Sequence, residues 1–270
     1  MRLTPYFNPV HSDRVTGNVQ LWHDVPSAHL YHSRHVIIWL PPGYDDDDSR
    51  RYPVLYAQDG QNLFNPDTAF AGTAWDLEKI TTHLIDTGQI EPCIIVGIYN
   101  TPDRLYEYNP LRQQGQQYGR FLVEELMPAI DHSFRTVGGR RNALIGSSMG
   151  GLISTAFLWW HSDHFFGAAA MSPSYWVLWQ AGGPANWLHY QRIRPQHPSL
   201  LYIDRGTDRS ESRIDGHAQE VLQVCRDSGF LSEQLMYHVA QGGQHNEASW
   251  RARSHLPLDF LFGRSPWARG

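Results

Sequence analysis

The sequence predicts an α/β protein with a mostly parallel central sheet and helices on both of its faces. Short apolar runs alternate with helical segments along the chain, which is the pattern of repeated strand–helix–strand units. The run Ile90 to Ile98 is predicted to be a strand covered on both faces, because it is apolar apart from Glu91. The 270 residues contain no internal repeat or long linker, so we expect a single domain, 1–270.

The predicted elements follow one another from residue 34 onward. The predicted strands are 34–40, 52–57, 90–98, 143–145, 167–171, 200–204 and 234–239. The predicted helices are 75–87, 118–133, 152–160, 215–227 and 250–262. Three segments have no clear periodicity. They are 1–33, expected to be an N-terminal extension or edge strands, 99–117, expected to be a polar loop, and 172–198, expected to be an aromatic-rich insertion near the ligand cleft.

Composition and charge exclude some partners. Hydrophobic residues make up 41% of the chain and charged residues 18%, as in a folded globular protein. The net charge of −5 leaves no basic stripe that could neutralise nucleic-acid phosphates. No apolar run reaches the roughly 18 residues of a membrane span, and the N-terminus lacks the apolar core of a signal peptide. We therefore expect a cytoplasmic protein with no nucleic-acid or membrane partner.

The two cysteines leave the redox compartment open. Cys93 lies within an apolar run, where a small buried hydrophobic side chain is expected. A disulfide between Cys93 and Cys225 remains an alternative at this level, because sequence alone does not give the distance between them.

The segment from Asn142 to Trp160 has the order strand, tight turn, helix. It contains Gly146-Ser147-Ser148-Met149-Gly150, a Gly-x-Ser-x-Gly motif between two apolar runs. In this motif the serine lies on a strained turn that exposes its Oγ at the top of the sheet. Gly146 and Gly150 are expected there because a Cβ at either position would collide where strand and helix pass closely. Ser148 is the predicted nucleophile.

Two backbone N–H groups are candidates for an anion site beside Ser148. The N–H of Met149 lies at the start of the following helix, where unpaired donors and the helix dipole favour an anion. The second is the N–H of Gln61, in the glycine-containing turn after the strand 52–57. Acyl transfer requires a nucleophile beside such donors, so we interpret Met149 and Gln61 as oxyanion-hole residues.

A serine nucleophile needs a base, and the base needs an orienting carboxylate. His245 follows the last predicted strand and two glycines, and it is the predicted base. Asp208, soon after the strand 200–204, is the predicted acid, and Glu211 is the alternative. The order serine, acid, histidine is that of α/β hydrolases, whose ligands bind beyond the carboxyl ends of the strands.

Further residues are predicted to line the substrate pocket. Tyr175, Trp176 and Trp179 follow the strand 167–171 and are predicted to shape the acyl or alcohol pocket. The alternative is that these aromatic side chains only cover the core. Glu107 and Tyr108 lie in the predicted polar loop and are predicted to border the same pocket.

Several segments between residues 34 and 262 together resemble one protein family. They are Trp39-Leu40-Pro41-Pro42-Gly43-Tyr44, Tyr52-Pro53-Val54-Leu55-Tyr56, Asp59-Gly60-Gln61-Asn62-Leu63-Phe64, Gly146 to Gly151, Ser172-Pro173-Ser174 with Trp176, and His245. Through them the chain resembles the esterase D family of α/β hydrolases, which includes feruloyl, acetyl-xylan and siderophore esterases and mycolyltransferases. The resemblance implies the α/β-hydrolase fold and no cofactor. It also implies Ser148 as nucleophile, His245 as base, and backbone donors near Gln61 and at Met149.

The chain departs from the family pattern at the acid. Family members often carry the carboxylate at the position that Arg209 occupies here, after the turn Gly206-Thr207. The resemblance therefore leaves both Asp208 and Glu211 open as the acid.

These observations predict a serine carboxylic-ester hydrolase that acts on a small-molecule ester through Ser148, His245 and Asp208. The reaction would pass through an acyl-enzyme and need neither cofactor nor metal. Acyl transfer to an alcohol by the same residues is one alternative, and a non-catalytic binding module of the same fold is another. The sequence leaves open the ester (short acyl, feruloyl or aryl, sugar or siderophore) and the oligomeric state.

Overall fold

The computed structural model describes residues 3–5, 14–190 and 199–263. The strands of its central sheet are β1 (Leu3–Pro5), β2 (Asn18–Val25), β3 (Arg34–Leu40), β4 (Val54–Gln58), β5 (Ile94–Ile98), β6 (Asn142–Ser147), β7 (Phe165–Met171), β8 (Leu200–Gly206) and β9 (Leu235–Ala240). Their order across the sheet is β1-β2-β3-β5-β4-β6-β7-β8-β9. The pairs β1–β2, β2–β3 and β3–β5 are antiparallel. All later pairs in this order, from β5–β4 to β8–β9, are parallel. The predicted mostly parallel sheet is confirmed.

Helices cover both faces of the sheet. They are α1 (Leu77–Asp86), α2 (Arg104–Glu107), α3 (Gln113–Arg120), α4 (Met127–Ser133), α5 (Met149–Trp160), α6 (Pro184–Tyr190), α7 (Ile214–Asp227), α8 (Glu247–Arg253) and α9 (His255–Phe262). One core packs α5 and α7 against the sheet, with Phe157 and Val221 fully buried. The other packs α1, α8 and α9, with Leu77 and Leu261 buried. The predicted α/β architecture with two covered faces is confirmed.

The alternation of side chains along β3 shows how each strand serves both cores. Val36 and Ile38 belong to one core, and Ile37 and Trp39 to the other. Successive side chains of a strand point to opposite faces, so a strand covered on both sides must be apolar throughout. The same holds for β5, whose five residues are all buried. The predicted strand 90–98 began too early, since Glu91 and Pro92 lie outside β5.

β1 and β2 form an antiparallel edge of the sheet, and residues 1–2 and 6–13 of the predicted segment 1–33 lie outside the described residues. β2 pairs with β3, but its register shifts between Trp22 and Val25, and Asp24 there has a φ of 48°. Such a bulge interrupts the strict alternation of buried and exposed side chains. This irregularity explains why the sequence of β2 shows no strand periodicity.

Two segments contain more helix than predicted. Residues 99–117 were expected to be a loop, but they contain α2 and the start of α3, whose polar sequence Gln113-Gln114-Gly115-Gln116-Gln117 carries no apolar stripe. Gly115 is needed because a Cβ would lie 2.4 Å from the carbonyl oxygen of Asn109. The aromatic-rich insertion contains a 3-10 turn (Tyr175–Ala181) and α6, and its part 191–198 lies outside the described residues.

The predicted helix 118–133 is continuous with α3 and contains an irregular turn. Its middle, Phe121–Leu126, is π-helical, and Pro128 follows at the start of α4. Proline has no N–H for the usual bond four residues back, and its ring crowds the carbonyl there. A π-helical turn is one way for a helix to absorb such a missing bond.

Both cysteines are buried and unpaired. Cys93 belongs to the core on the α1 side and Cys225 to the core on the α7 side, so the disulfide left open by the sequence does not form. Among the described residues, no helix is both long enough and apolar enough to span a membrane.

One buried carboxyl group lacks a full set of partners. Glu78, in the first turn of α1, is completely buried, and its Oε1 accepts a long 3.4 Å hydrogen bond from the Thr16 N–H. Its Oε2 has no hydrogen-bond partner among the residues that the structure describes. Burial disfavours the charged form and raises the pKa of Glu78 to about 7.

We expect Glu78 to make folding stability fall as pH rises from about 4.5 to about 7. The folded protein keeps the Glu78 proton over this range while the unfolded chain loses it, so deprotonation favours unfolding. Glu78→Gln removes the titration and should gain on the order of 2 kcal/mol over the native protein at pH 8, but little at pH 4. Urea unfolding at both pH values measures this difference. Exposed Glu233→Gln is the control, and an equal gain in both variants would contradict the prediction.

Candidate active site

The turn after β6 holds Ser148 in a strained backbone conformation. Its φ is 55° and its ψ is −120°, values that a residue with a side chain rarely adopts. A Cβ on Gly146 would lie 2.5 Å from the carbonyl carbon of Gly150, so strand and helix pass too closely for any side chain there. The Ser148 N–H donates to the Met171 carbonyl at 2.9 Å, which ties the turn to β7. The geometry is that of the predicted nucleophile elbow.

Ser148 contacts His245 at the carboxyl edge of the sheet. Its Oγ lies 2.9 Å from His245 Nε2 and 3.1 Å from the Ser174 Oγ. His245 Nδ1 lies 2.6 Å from Glu211 Oε1. An ionised carboxylate only accepts hydrogen bonds, so Nδ1 carries the proton and Nε2 is left to accept the Ser148 hydroxyl. Serine, histidine and carboxylate therefore form one connected chain.

The carboxylate beside His245 is Glu211, and the structure corrects the preference for Asp208. Asp208 caps the short 3-10 turn Arg209–Glu211, where its Oδ1 accepts from the Ser210 N–H at 2.9 Å and from the Ser210 hydroxyl at 2.7 Å. That turn directs Asp208 outward and Glu211 inward. The prediction of Asp208 was based on its distance along the chain from the end of the strand 200–204, and this turn was not predicted.

Glu211 is held as an anion at the base of the site. Its side chain is completely buried, and its Oε2 accepts from the Gly206 N–H at 2.9 Å. Burial alone would raise its pKa, but hydrogen bonds from His245 and Gly206 outweigh burial, and the pKa of Glu211 is lowered. Glu211 is therefore ionised at neutral pH.

The loops after β8 and β9, which carry Glu211 and His245, are in direct backbone contact. The Asp208 N–H donates to the Gly243 carbonyl at 3.0 Å, and the Gly242 N–H donates to the Thr207 hydroxyl at 2.8 Å. A Cβ on Gly206 would lie 1.9 Å from the Gly243 carbonyl oxygen. Glycine at Gly206 thus allows the approach that brings the histidine to the carboxylate.

A buried ion pair anchors α8, the helix that follows His245. Arg253 donates to both carboxylate oxygens of Asp204, at 2.8 Å and 3.1 Å, and to the Ser172 hydroxyl at 2.7 Å. Trp250 on the same helix donates to the Ser172 hydroxyl at 3.0 Å and meets the edge of the His245 ring, with ring centroids 5.1 Å apart. These contacts restrict the positions that His245 can take.

A second ion pair holds the turn that carries Gln61. Arg104 binds both oxygens of Asp59 at 2.7 Å, and Asn100 donates to the same carboxylate at 2.6 Å. The Asp59 N–H donates to the Tyr108 hydroxyl at 3.1 Å. A Cβ on Gly150 would lie 3.4 Å from Asp59 Oδ2, so the turn packs directly against the Ser148 elbow.

A cleft of about 380 Å³ opens beside Ser148 and His245. Its other lining residues are Ser172, Pro173, Ser174, Trp176, Ser210, Arg213 and Ile214. Trp176 is 52% exposed and lines the cleft as predicted. Trp179 is exposed nearby but does not line the cleft, because its indole N–H donates to the His217 ring.

Three predicted pocket residues lie inside the protein instead. Tyr175 is fully buried, with its hydroxyl 2.7 Å from the Thr155 hydroxyl. Glu107 is buried in a two-bond ion pair with Arg34, at 2.8 Å and 3.0 Å. Tyr108 is buried beneath the Asp59 turn. The placement of Tyr175, Glu107 and Tyr108 at the pocket is therefore corrected, since each has polar partners in the interior.

Of the seven further lining residues, sequence reasoning predicted only Trp176, and the omissions include Ser174 and Arg213. Ser174 lies in a quoted segment, Ser172-Pro173-Ser174, and the strand end before it could have indicated a position near the nucleophile. Arg213 carried no signal, because an arginine before a helix is ordinary in sequence and only the fold directs it toward the cleft.

A parallel sheet with a serine-bearing strand–turn–helix at its carboxyl edge, faced by a histidine from a later loop, defines the chain as an α/β hydrolase. The chain belongs to the family described as "Putative esterase", whose model matches residues 27–255. It is a carboxylic ester hydrolase of this family.

The chain is also similar in sequence or in fold to individual proteins. The chain is 23% identical over 258 residues to "Uncharacterized protein YbbA" of Bacillus subtilis (strain 168), covering 88% of this chain and 96% of that one. It is 26% identical over 222 residues to an "Endo-1,4-beta-xylanase/feruloyl esterase" of Xylanibacter ruminicola, covering 79% of this chain and 27% of that protein. A crystal structure of the enterobactin esterase of Shigella flexneri superposes with a TM-score of 0.70 at 18% identity, over 92% of this chain and 58% of that one. The last similarity shows a shared fold.

We expect Gly206→Ala to destabilise the protein by about 2–3 kcal/mol, because its methyl group would overlap the Gly243 carbonyl oxygen. The matched control is Gly216→Ala in α7, where a Cβ has nothing within 4 Å. There alanine should stabilise the helix by about 0.5–1 kcal/mol. Urea unfolding of the two variants measures both effects. Equal stabilities would show that the two loops do not need to approach at Gly206.

Proposed function

We propose that the protein hydrolyses carboxylic esters through Ser148, His245 and Glu211, with a covalent acyl-enzyme intermediate. The observation that carries the proposal is the connected chain of 2.9 Å from Ser148 Oγ to His245 Nε2 and 2.6 Å from His245 Nδ1 to Glu211 Oε1. Both distances are within hydrogen-bonding reach, as nucleophilic catalysis by serine requires.

His245 would transfer a proton in each half of the reaction. It removes the Ser148 proton as Oγ attacks the ester carbonyl, and it returns that proton to the departing alcohol oxygen. A water molecule then loses its proton to His245, attacks the acyl carbon and restores Ser148. Glu211 keeps Nδ1 protonated and stabilises the imidazolium ion that forms twice in each cycle. It does so best as the buried anion described above.

The Met149 and Gln61 backbone N–H groups are the proposed oxyanion donors. Met149 is the first residue of the twelve-residue α5, where N–H groups have no partner within the helix and the dipole favours negative charge. Gln61 lies in the turn that Arg104 and Asn100 brace through Asp59. A braced donor needs no reorganisation when charge develops, which is why preorganised donors accelerate acyl transfer strongly.

The cleft suits a small ester. Its volume of about 380 Å³ lies at the lower end of ligand pockets, which are commonly about 300–1,000 Å³. Trp176 and Ile214 provide apolar contact, whereas Ser172 and Ser210 hold their hydroxyls in existing hydrogen bonds. A short acyl or single-ring aryl ester fits this wall better than a long chain does.

Ser148→Ala should abolish ester hydrolysis. We expect the native protein to hydrolyse p-nitrophenyl esters with short acyl chains, and the variant to lose about 10⁴-fold or more in kcat, because no other group can form the acyl-enzyme. A stopped assay measures ester turnover by each protein. Mass spectrometry of each protein after treatment with a fluorophosphonate shows which residue is labelled. Labelling of the native protein away from Ser148, or equal turnover by Ser148→Ala, would refute the proposal.

The two candidate acids can be separated by paired amide substitutions. Glu211→Gln should lower kcat by about 10²–10⁴-fold, because an amide cannot hold the charge that orients His245 and stabilises its protonated form. Asp208→Asn should remain within a few fold of native, because Asp208 bonds to Ser210 instead of His245. Steady-state kinetics on one ester compare the two. The reverse order of losses would assign the role to Asp208.

A further inference from the structure

One wall of the cleft carries a charge that no described residue neutralises. Arg213 lines the cleft together with Trp176, Ile214 and the reacting pair Ser148 and His245. Arg213 is exposed to solvent, and its side chain makes no hydrogen bond or ion pair with the described part of the chain. Among the described residues that line this cleft, Arg213 alone has a permanent charge.

The carboxylates closest in sequence to Arg213 already have other partners. Glu211 pairs with His245, and Asp208 accepts from Ser210. Asp215 accepts from the Tyr237 hydroxyl at 2.6 Å and from Arg205 at 3.3 Å. With respect to the described residues, the Arg213 guanidinium therefore retains its five N–H donors for a group that enters the cleft.

The backbone adds to the positive potential on the same wall. Arg213 is the residue before α7, a helix of 14 residues that begins at Ile214. The first N–H groups of a helix lack partners within it, and its dipole places partial positive charge at that end. Ile214 lines the cleft, so this end of α7 faces the same space as the guanidinium.

We propose that the preferred substrates are esters that carry an anionic group, a carboxylate or a phosphate, which pairs with Arg213 while the ester carbonyl lies at Ser148. The inference rests on the proposed function of Ser148 and His245. A guanidinium binds either anion through two parallel N–H bonds. Trp176, which is 52% exposed, offers an apolar face for the part of the substrate between the two ends.

The size of the preference is limited by water. Exposed ion pairs contribute little, because solvent screens them, whereas charge-assisted two-bond contacts in a partly closed cleft contribute more. We therefore expect about a tenfold higher kcat/KM for an anionic ester than for a neutral ester of matched shape. The preference should shrink at high salt, since the pair is reached by solvent.

Matched ester pairs test this selectivity on each side of the carbonyl. On the acyl side, mono-p-nitrophenyl adipate is compared with p-nitrophenyl hexanoate. On the alcohol side, p-acetoxybenzoate and p-acetoxyphenyl phosphate are compared with p-acetoxybenzamide, which also separates carboxylate from phosphate. The proteins are the native chain, Arg213→Gln, Arg213→Glu and the control Arg226→Gln. Arg226 lies in the last turn of α7, outside the cleft, and its change removes the same charge.

In at least one series, the native protein and Arg226→Gln are expected to prefer the anionic ester by about tenfold in kcat/KM. Arg213→Gln is expected to lose this preference, and Arg213→Glu is expected to prefer the neutral ester. Hydrolysis of the neutral esters with no anionic preference, or an equal loss in Arg226→Gln, would overturn the inference while leaving Ser148 and His245 in their proposed roles. Absence of turnover on every ester, with no fluorophosphonate labelling, would overturn the proposed function and the inference with it.

Discussion

The site depends above all on one tight backbone passage, the turn at Ser148 between β6 and α5. Its φ of 55° is unfavourable for a residue with a side chain, so contacts with the surrounding structure must maintain it. The surrounding packing does so, because Gly146 brings strand and helix within contact and the Ser148 N–H is bonded to β7. Two cores, one on each face of the sheet, hold β6 and α5 in place. Packing on both faces of the sheet therefore maintains the strained turn, and the turn presents the Ser148 hydroxyl outward.

Buried charges perform a related task around this turn. Asp59 with Arg104, and Asp204 with Arg253, each tie a strand end to a later segment of the chain. Such pairs gain little net stability, since both ions lose water on burial, but they penalise every arrangement that separates them. In this protein we assign them that second role. One braces the turn bearing Gln61, and the other braces the helix behind His245.

The polar groups of the site fall into two sets with opposite hydrogen-bonding states. Glu211, Asp204 and Asp59 are saturated by donors, so each has a single orientation. Arg213, in contrast, faces the cleft with N–H donors that no residue of the described ranges accepts. Groups of the first kind position the reacting atoms, because saturation removes alternatives. Groups of the second kind are available to a ligand, because they gain a partner only when one arrives.

The sequence alone determined the α/β class, the positions of most strands along the chain, the strand–turn–helix at Ser148, and the choice of His245 as its partner. These follow from local features, namely uninterrupted apolar runs and a motif whose glycines and serine are adjacent in the chain. It did not determine the bulged edge strand β2 or the polar helix α3, where the periodic signal is broken or absent. Of the two neighbouring residues predicted at the cleft, Trp176 lines it, whereas Tyr175 is buried in the core.

Only the tertiary structure decided between Asp208 and Glu211. The two carboxylates are three residues apart, and the choice depends on a short turn capped by Asp208 and on the contact of Gly206 with Gly243, a residue far along the chain. The same holds for Arg213, because the cleft that it lines is built by segments that follow four different strands, β6, β7, β8 and β9. Local sequence patterns report which backbone a segment prefers, whereas the partner of a side chain is set by packing between segments distant in sequence.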